Sequence, residues 1–173
     1  MYIRELQKDD IPALAELAAK TFTETFGHSF RPEELETQIR ETRSEDCFRS
    51  ATNSDTILVA IIDERLAGYV QLSDVKVDVQ GVKPGPNDQA VAAIYIHSDY
   101  QAQGIGRALM DAAFEHSRFE NADNIFIDVW DENRRAVDFY LKYGFEIVGK
   151  CDVTVDGAVV GYDLVLMRPA RKG

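Results

Sequence analysis

Six residues, Gln101-Ala102-Gln103-Gly104-Ile105-Gly106, stand between an apolar run at 91–96 and an amphipathic segment that starts at Arg107. The apolar run gives way to helical spacing here, so a strand runs into a glycine turn and the turn opens a helix. The next β-like run, 124–130, then lies parallel to the first through a right-handed crossover. The turn also leaves backbone N–H groups without helical partners at the positive end of the helix dipole, an arrangement that receives phosphate. Gly104 and Gly106 carry no Cβ, so a bulky anion can approach the backbone closely. Taken alone, the Q-x-x-G-x-G spacing is equally that of an ordinary turn.

Around this unit the chain reads as alternating strands and helices. Residues 2–6 form a first strand, and Asp9 or Asp10 then caps a helix with Pro12 in its first turn. Leu14, Leu17, Ala18, Thr21 and Phe22 recur at helical spacing, and a second helix starts at Pro32 and runs to Arg43. Residues 44–55 are polar and read as loop. Two β-rich runs, 56–62 and 66–72, flank Asp63-Glu64-Arg65 as a hairpin. Residues 74–88, with Gly81, Pro84, Gly85 and Pro86, read as surface loop. The strand 90–97 leads through the turn into a helix reaching Arg118. Strand 124–130, helix 133–143 and strand 145–153 follow. Asp156-Gly157 marks a hairpin before a final strand at 158–167, and 168–173 reads as a frayed tail. The parallel unit and the terminal hairpins together predict an α/β (α+β) fold: a mixed, largely antiparallel sheet flanked by helices, in one domain over 1–173.

Composition narrows the function classes. The net charge is −11, from 30 acidic against 19 basic residues, which disfavours nucleic acid and anionic membrane as partners. It suits a cationic substrate, or simply a soluble surface. No stretch has the length and apolarity of a membrane span, and the start Met1-Tyr2-Ile3-Arg4 lacks a signal-peptide pattern. Cys47 and Cys151 form no C-x-x-C pattern, so the expected location is cytoplasmic. His28, His97 and His116 show no metal-ligand spacing, so no metal is expected. An anionic ligand would need local relief from the net charge, and Arg107, Arg134, Arg135 and Lys142 are placed to supply it.

A second motif, Trp130-Asp131-Glu132-Asn133 through Phe139-Tyr140-Leu141-Lys142-Tyr143-Gly144-Phe145, follows the β-like run at 125–129. With the glycine turn before it, in this order and at this separation, the chain resembles the GCN5-related N-acetyltransferases (GNAT). That resemblance implies acetyl-CoA as co-substrate, a primary amine as acceptor, and a sheet of about seven strands whose central parallel pair splays to admit the cofactor. It also implies cofactor contacts from Tyr95, Ile96, Gln101, Ala102, Gln103, Gly104, Ile105, Gly106, Arg107, Asn133 and Tyr140. Tyr140 occupies the position of the acid that protonates the leaving thiolate. A phenol with an ordinary pKa of about 10 holds its proton at neutral pH and can donate it. Packing is the competing reading of Tyr140, and an N-cap that of Asn133. Homodimers occur in this family, which leaves the oligomeric state open.

One departure concerns the general base. Relatives carry a glutamate on the strand before the turn, where this chain has Ala92 and Ala93. Two acids could substitute through water: Glu24 on the first helix, or Asp128 on a strand expected to be well buried. Thr21 to Phe26, Pro32 to Leu35, Tyr95-Ile96 and Val129-Trp130 further resemble the PaiA-type spermidine/spermine acetyltransferases. Glu24, Glu33, Glu34 and Glu36 would suit a polyamine, and a solvated helix face accounts for them equally. Two alternatives stay open: acetylation of protein N-termini or lysines, and a CoA-binding regulatory module without turnover.

Overall fold

The computed structural model describes residues 1–76, 79, 82–155 and 158–170. Strands β1 (Tyr2–Glu5), β2 (Thr56–Ile62), β3 (Arg65–Asp74), β4 (Gln89–Ile96), β5 (Asn124–Trp130), β6 (Glu146–Val155) and β7 (Ala158–Pro169) form a seven-stranded sheet in the order β1-β2-β3-β4-β5-β7-β6. Helices α1 (Ile11–Phe26), α2 (Pro32–Thr42), α3 (Glu45–Ala51), α4 (Ile105–Glu115), α5 (Ser117–Glu120) and α6 (Arg134–Lys142) complete the fold. The β4–β5 pair is parallel, and β1–β2, β2–β3, β5–β7 and β6–β7 are antiparallel. The expected mixed sheet with one parallel pair is therefore present.

The chain divides into two compact units, Met1–Leu72 with Ala93–Ala113, and Ser73–Ala92 with Phe114–Gly173. In the first, the apolar stripe of α1 does what its spacing predicts. Ile11, Leu14, Leu17 and Ala18 join Phe48, Ile57, Val59, Ile61 and Tyr69 in one core. Asp10 occupies the N-cap of α1, but its carboxylate accepts from Gln7 N at 2.7 Å and pairs with Arg4 at 2.6 Å. It ties β1 to the helix instead of capping it. The β2–β3 hairpin turns through Asp63 (φ 47°) and Glu64 (φ 59°), two left-handed residues as a two-residue hairpin requires.

The polar stretch read as loop contains α3. Ser44 caps it by accepting from Cys47 N, Glu45 and Asp46 favour its N-terminal dipole, and Phe48 anchors it in the core.

In the second unit, Val79, Ala90, Phe126 and Val165 form a separate apolar cluster. The stretch read as surface loop is therefore anchored: Val79 is buried, and so is Asp88. The Asp88 carboxylate accepts from Gly85 N at 2.8 Å and from Asn124 N and Nδ2 at 3.0 Å, which fixes the entry to β4 against the start of β5. The helix expected to reach Arg118 stops at Glu115, because His116 turns extended and caps α5, its Nδ1 accepting from Arg118 N at 3.1 Å. The tail read as frayed from 168 begins later, since Arg168 and Pro169 belong to β7. Gly81 and the Asp156-Gly157 turn lie outside the described residues.

Candidate active site

The parallel ladder is short. Gln89 pairs with Ile125, Ala90 with Phe126 and Val91 with Ile127, and the register ends there. Directly beyond it Ala92 is exposed, although it lies in a central strand.

In the first unit, the C-terminal half of β4 is set by β3. His97 N donates to Ala67 O at 2.9 Å. A Cβ at Gly68 would stand 2.8 Å from Tyr95 O and 3.3 Å from the Ile96 Cα, so only glycine lets the strand end come this close. Tyr95 stacks on the buried Tyr69, with ring centroids 5.8 Å apart. Burial raises the Tyr69 phenol well above its ordinary pKa.

After β4 the chain turns through 98–104. Gln101 Nε2 donates to Ile96 O at 3.3 Å, and Gln103 Nε2 donates to Asp99 O at 3.2 Å, which fastens the turn to the strand end. Ala102 (φ 61°) and Gly104 (φ 80°) are both left-handed. Ala108 N donates to Gly104 O at 3.0 Å, so the N–H groups of Ile105, Gly106 and Arg107 form the open first turn of α4. A Cβ at Gly104 would meet nothing within 4 Å, so its glycine serves the backbone conformation and not a tight contact inside the protein. These residues fit an anionic phosphate. Arg107 is exposed and lies 3.8 Å from Asp111.

Glu24 sits beside the same strand end. Its carboxylate accepts from Ser98 Oγ at 3.2 Å and lies 3.9 Å from Lys20 Nζ, which is itself 2.8 Å from His97 Nε2. Ala93 packs with Tyr95 against the core of this unit, so no carboxylate occupies the strand position where relatives carry one. Arg43, directly after α2, lays its guanidinium 3.6 Å from the Phe22 ring centroid and 6.0 Å from that of Tyr95. Its Nε is buried without a hydrogen-bond partner, which costs about 1–3 kcal/mol.

In the second unit, Asp128 and Trp130 project to the same face of β5. Trp130 stands opposite Asp163 of β7, and Asp163 stands opposite Cys151 of β6. The sequence predicts a well-buried Asp128; its side chain is instead exposed, because it lies on a sheet face beyond the apolar cluster. Partial desolvation by the surrounding sheet nevertheless raises its pKa. Asp163 is pushed up to about 6 by burial, and further by the charges of Asp128 and Asp131. Burial, then Asp128, Asp163 and Asp152, raises the Cys151 thiol.

Asn133 caps α6, its Oδ1 accepting from Ala136 N at 3.2 Å. Tyr140 is buried among Phe139 and Phe145, at ring distances of 5.3 and 5.9 Å. Tyr143 packs with Phe114, Phe139 and Phe145, and its carbonyl accepts from Arg168 Nη1 at 2.7 Å. Arg134 and Lys142 lie at the two ends of the same helix, with Arg135 beside the first.

Sequence reasoning misses Gly68, Ala102, Arg43 and Asp163. A lone glycine inside a strand pattern is the signal that could have found Gly68. Ala102, Arg43 and Asp163 carry no local signal, because the turn and the tertiary neighbours define them.

Several known proteins are similar to this chain. An uncharacterised N-acetyltransferase of Lactobacillus delbrueckii subsp. lactis is 29% identical over 144 residues, 82% of each chain. A spermidine N(1)-acetyltransferase of Thermoplasma acidophilum is 24% identical over 151 residues, 84% of this chain and 88% of the relative. A peptidyl-lysine N-acetyltransferase of Escherichia coli is 27% identical over 127 residues, 73% of this chain and 70% of the relative. The crystal structure of the PaiA N-acetyltransferase from Thermoplasma acidophilum in complex with coenzyme A shares the fold, with a TM-score of 0.74, 24% identity and coverage of 97% and 98%. Residues 11–145 match the profile of the Acetyltransferase (GNAT) family, and the chain belongs to that family as an acetyl-CoA-dependent N-acetyltransferase.

Proposed function

We propose that the acceptor is the primary amine of a small molecule, attacked directly in a ternary complex with acetyl-CoA. The observation that carries the cofactor half is the turn after β4, where left-handed Ala102 and Gly104 lead into the open first turn of α4. Gln101 to Arg107 are assigned to the pyrophosphate, the backbone of Tyr95 and Ile96 to the pantetheine arm and thioester carbonyl, and Asn133 to a further cofactor contact. Acetyl-CoA supplies the activated acetyl group. The neutral amine forms a bond to the acetyl carbon, the carbon–sulfur bond breaks, and the departing thiolate takes a proton from the Tyr140 hydroxyl.

The proton lost by the amine needs a base. Glu24 is engaged by Ser98 and Lys20, whereas desolvation raises the proton affinity of Asp128. We therefore assign that proton to Asp128 through water. A polyamine acceptor draws support from the spermidine relative. The acidic helix residues add less than the sequence suggests, because Glu34 is held by Arg31 and Glu24 by Lys20.

Release of free CoA from acetyl-CoA with a panel of small amines, polyamines and peptides tests the reading. Turnover with small amines supports it. Turnover with peptides alone moves the protein to the protein-acetylating class, and tight acetyl-CoA binding without turnover on any acceptor favours the regulatory module.

A further inference from the structure

Arg43 is unusual among the cations of this acidic chain. Arg4 pairs with Asp10, Arg31 with Glu34, Arg49 with Glu45 and Arg118 with Asp74. Arg43 has no such partner: among the described residues no carboxylate lies within ion-pairing distance of it, and Nη1 donates to the neighbouring Thr42 hydroxyl. With 30 acidic residues in the chain, a guanidinium without a carboxylate is a local exception to the net charge.

Its position is fixed from both ends. Arg43 N donates to Ile39 O at 2.9 Å, which holds the backbone at the end of α2. The side chain turns back over Phe22 of α1 and toward Tyr95 of β4, and its charge is felt by the Tyr69 phenol. Phe26 and Phe30 extend the aromatic wall, at 5.0 and 5.9 Å from Phe22. A planar guanidinium stacked on an aromatic ring keeps its edge available to a carboxylate, which it matches through two parallel hydrogen bonds.

We propose that Arg43 receives the carboxylate of the acceptor, so that the substrate class is an amine that also carries a carboxylate, such as an amino acid. The inference rests on the assignment of the Tyr95 backbone to the thioester, since that places a ligand beside Tyr95 on the acceptor side of the reaction. The cofactor phosphates have their own place at 101–107. Phe22, Phe26 and Phe30 add an apolar wall that suits an uncharged side chain.

The test compares amino acids with the amines left when their carboxylate is removed: phenylalanine with phenethylamine, tryptophan with tryptamine, and lysine with cadaverine. The wild-type protein is expected to show kcat/KM at least tenfold higher for the amino acid of at least one pair. Arg43→Gln is expected to lower that ratio at least tenfold by raising KM for the amino acid, with Arg43→Lys intermediate. Equal or better turnover of the decarboxylated partners by wild type overturns the proposal, and so does an Arg43→Gln effect equal on both members of each pair. The wild-type ratio needs no variant, so loss of folding in Arg43→Gln does not obscure the result. If no amine is acetylated, the acceptor reading fails separately. Calorimetric titration of the CoA-saturated protein with the same pairs then decides: preferential binding of the amino acids supports the carboxylate site, and equal or absent binding overturns it.

Discussion

The indole of Trp130 lies against the backbone of Gly161, so closely that a Cβ at 161 would fall 2.0 Å from its Cη2 and 2.6 Å from its Cζ2. The contact joins β5 to β7 on the face that also carries Asp128 and Asp163. Rigid ring atoms, unlike the end of a flexible side chain, cannot yield by a small rotation. Gly161→Ala is therefore expected to destabilise by about 1–3 kcal/mol through overpacking. Trp130 is the single tryptophan, so its fluorescence reports the displacement without interference. Trp130→Leu in the same chain should recover much of the loss in thermal stability. No recovery would show that the strain lies elsewhere.

Asp163 gives a pH-dependent prediction. Its folded-state pKa, pushed up to about 6, exceeds that of an ordinary carboxylate, so the folded protein binds this proton more tightly than the unfolded chain. The stability it contributes is fully present below the ordinary carboxylate pKa of about 4 and is lost as pH rises through the folded value. Asp163→Asn removes the titration. The variant should melt above wild type at a pH of about 8, and the difference should shrink toward zero near the ordinary carboxylate pKa of about 4. A difference independent of pH would remove Asp163 as its source.

The parallel pair and the strand–turn–helix unit are legible in the sequence because local chemistry encodes them. An apolar run before a glycine turn, and a hairpin around Asp63-Glu64-Arg65, need no distant partner to be recognised. Helix α3 is not legible, because among its seven residues only Phe48 is buried and the others are polar or small. Asp128 draws attention as an acid on a strand, but Asp163 does not. Its environment comes from the pairing of β5 with β7 and of β7 with β6, which single-chain patterning does not specify. The setting of Arg43 is likewise built by α1, β4 and the end of α2 together.

Tyr140 separates catalysis from cofactor binding. Its ring is buried against Phe139 and Phe145, and phenylalanine keeps that packing while removing the hydroxyl. Tyr140→Phe is expected to lower kcat about 10²-fold or more, in the range of general acid catalysis, with acetyl-CoA affinity within twofold of wild type by calorimetry. An unchanged rate would end the assignment of the thiolate's proton to this residue.

Ala102 and Gly104 make opposite predictions for one turn. Both are left-handed, at φ 61° and 80°, but only Gly104 has the residue type that adopts this conformation without cost. Ala102→Gly relieves a left-handed alanine, a gain of about 1–2 kcal/mol that the added freedom of the unfolded chain offsets in part. The net expectation is a slightly raised melting temperature. Gly104→Ala imposes the same strain where no neighbour within 4 Å would clash, so its cost is conformational, about 1 kcal/mol. A Cβ at 104 would also stand on the surface assigned to the cofactor's pyrophosphate. Gly104→Ala should therefore weaken CoA binding at least tenfold, while Ala102→Gly leaves the first turn of α4 in place. Equal CoA affinity in wild type and Gly104→Ala, measured by calorimetry, would move the pyrophosphate away from this turn.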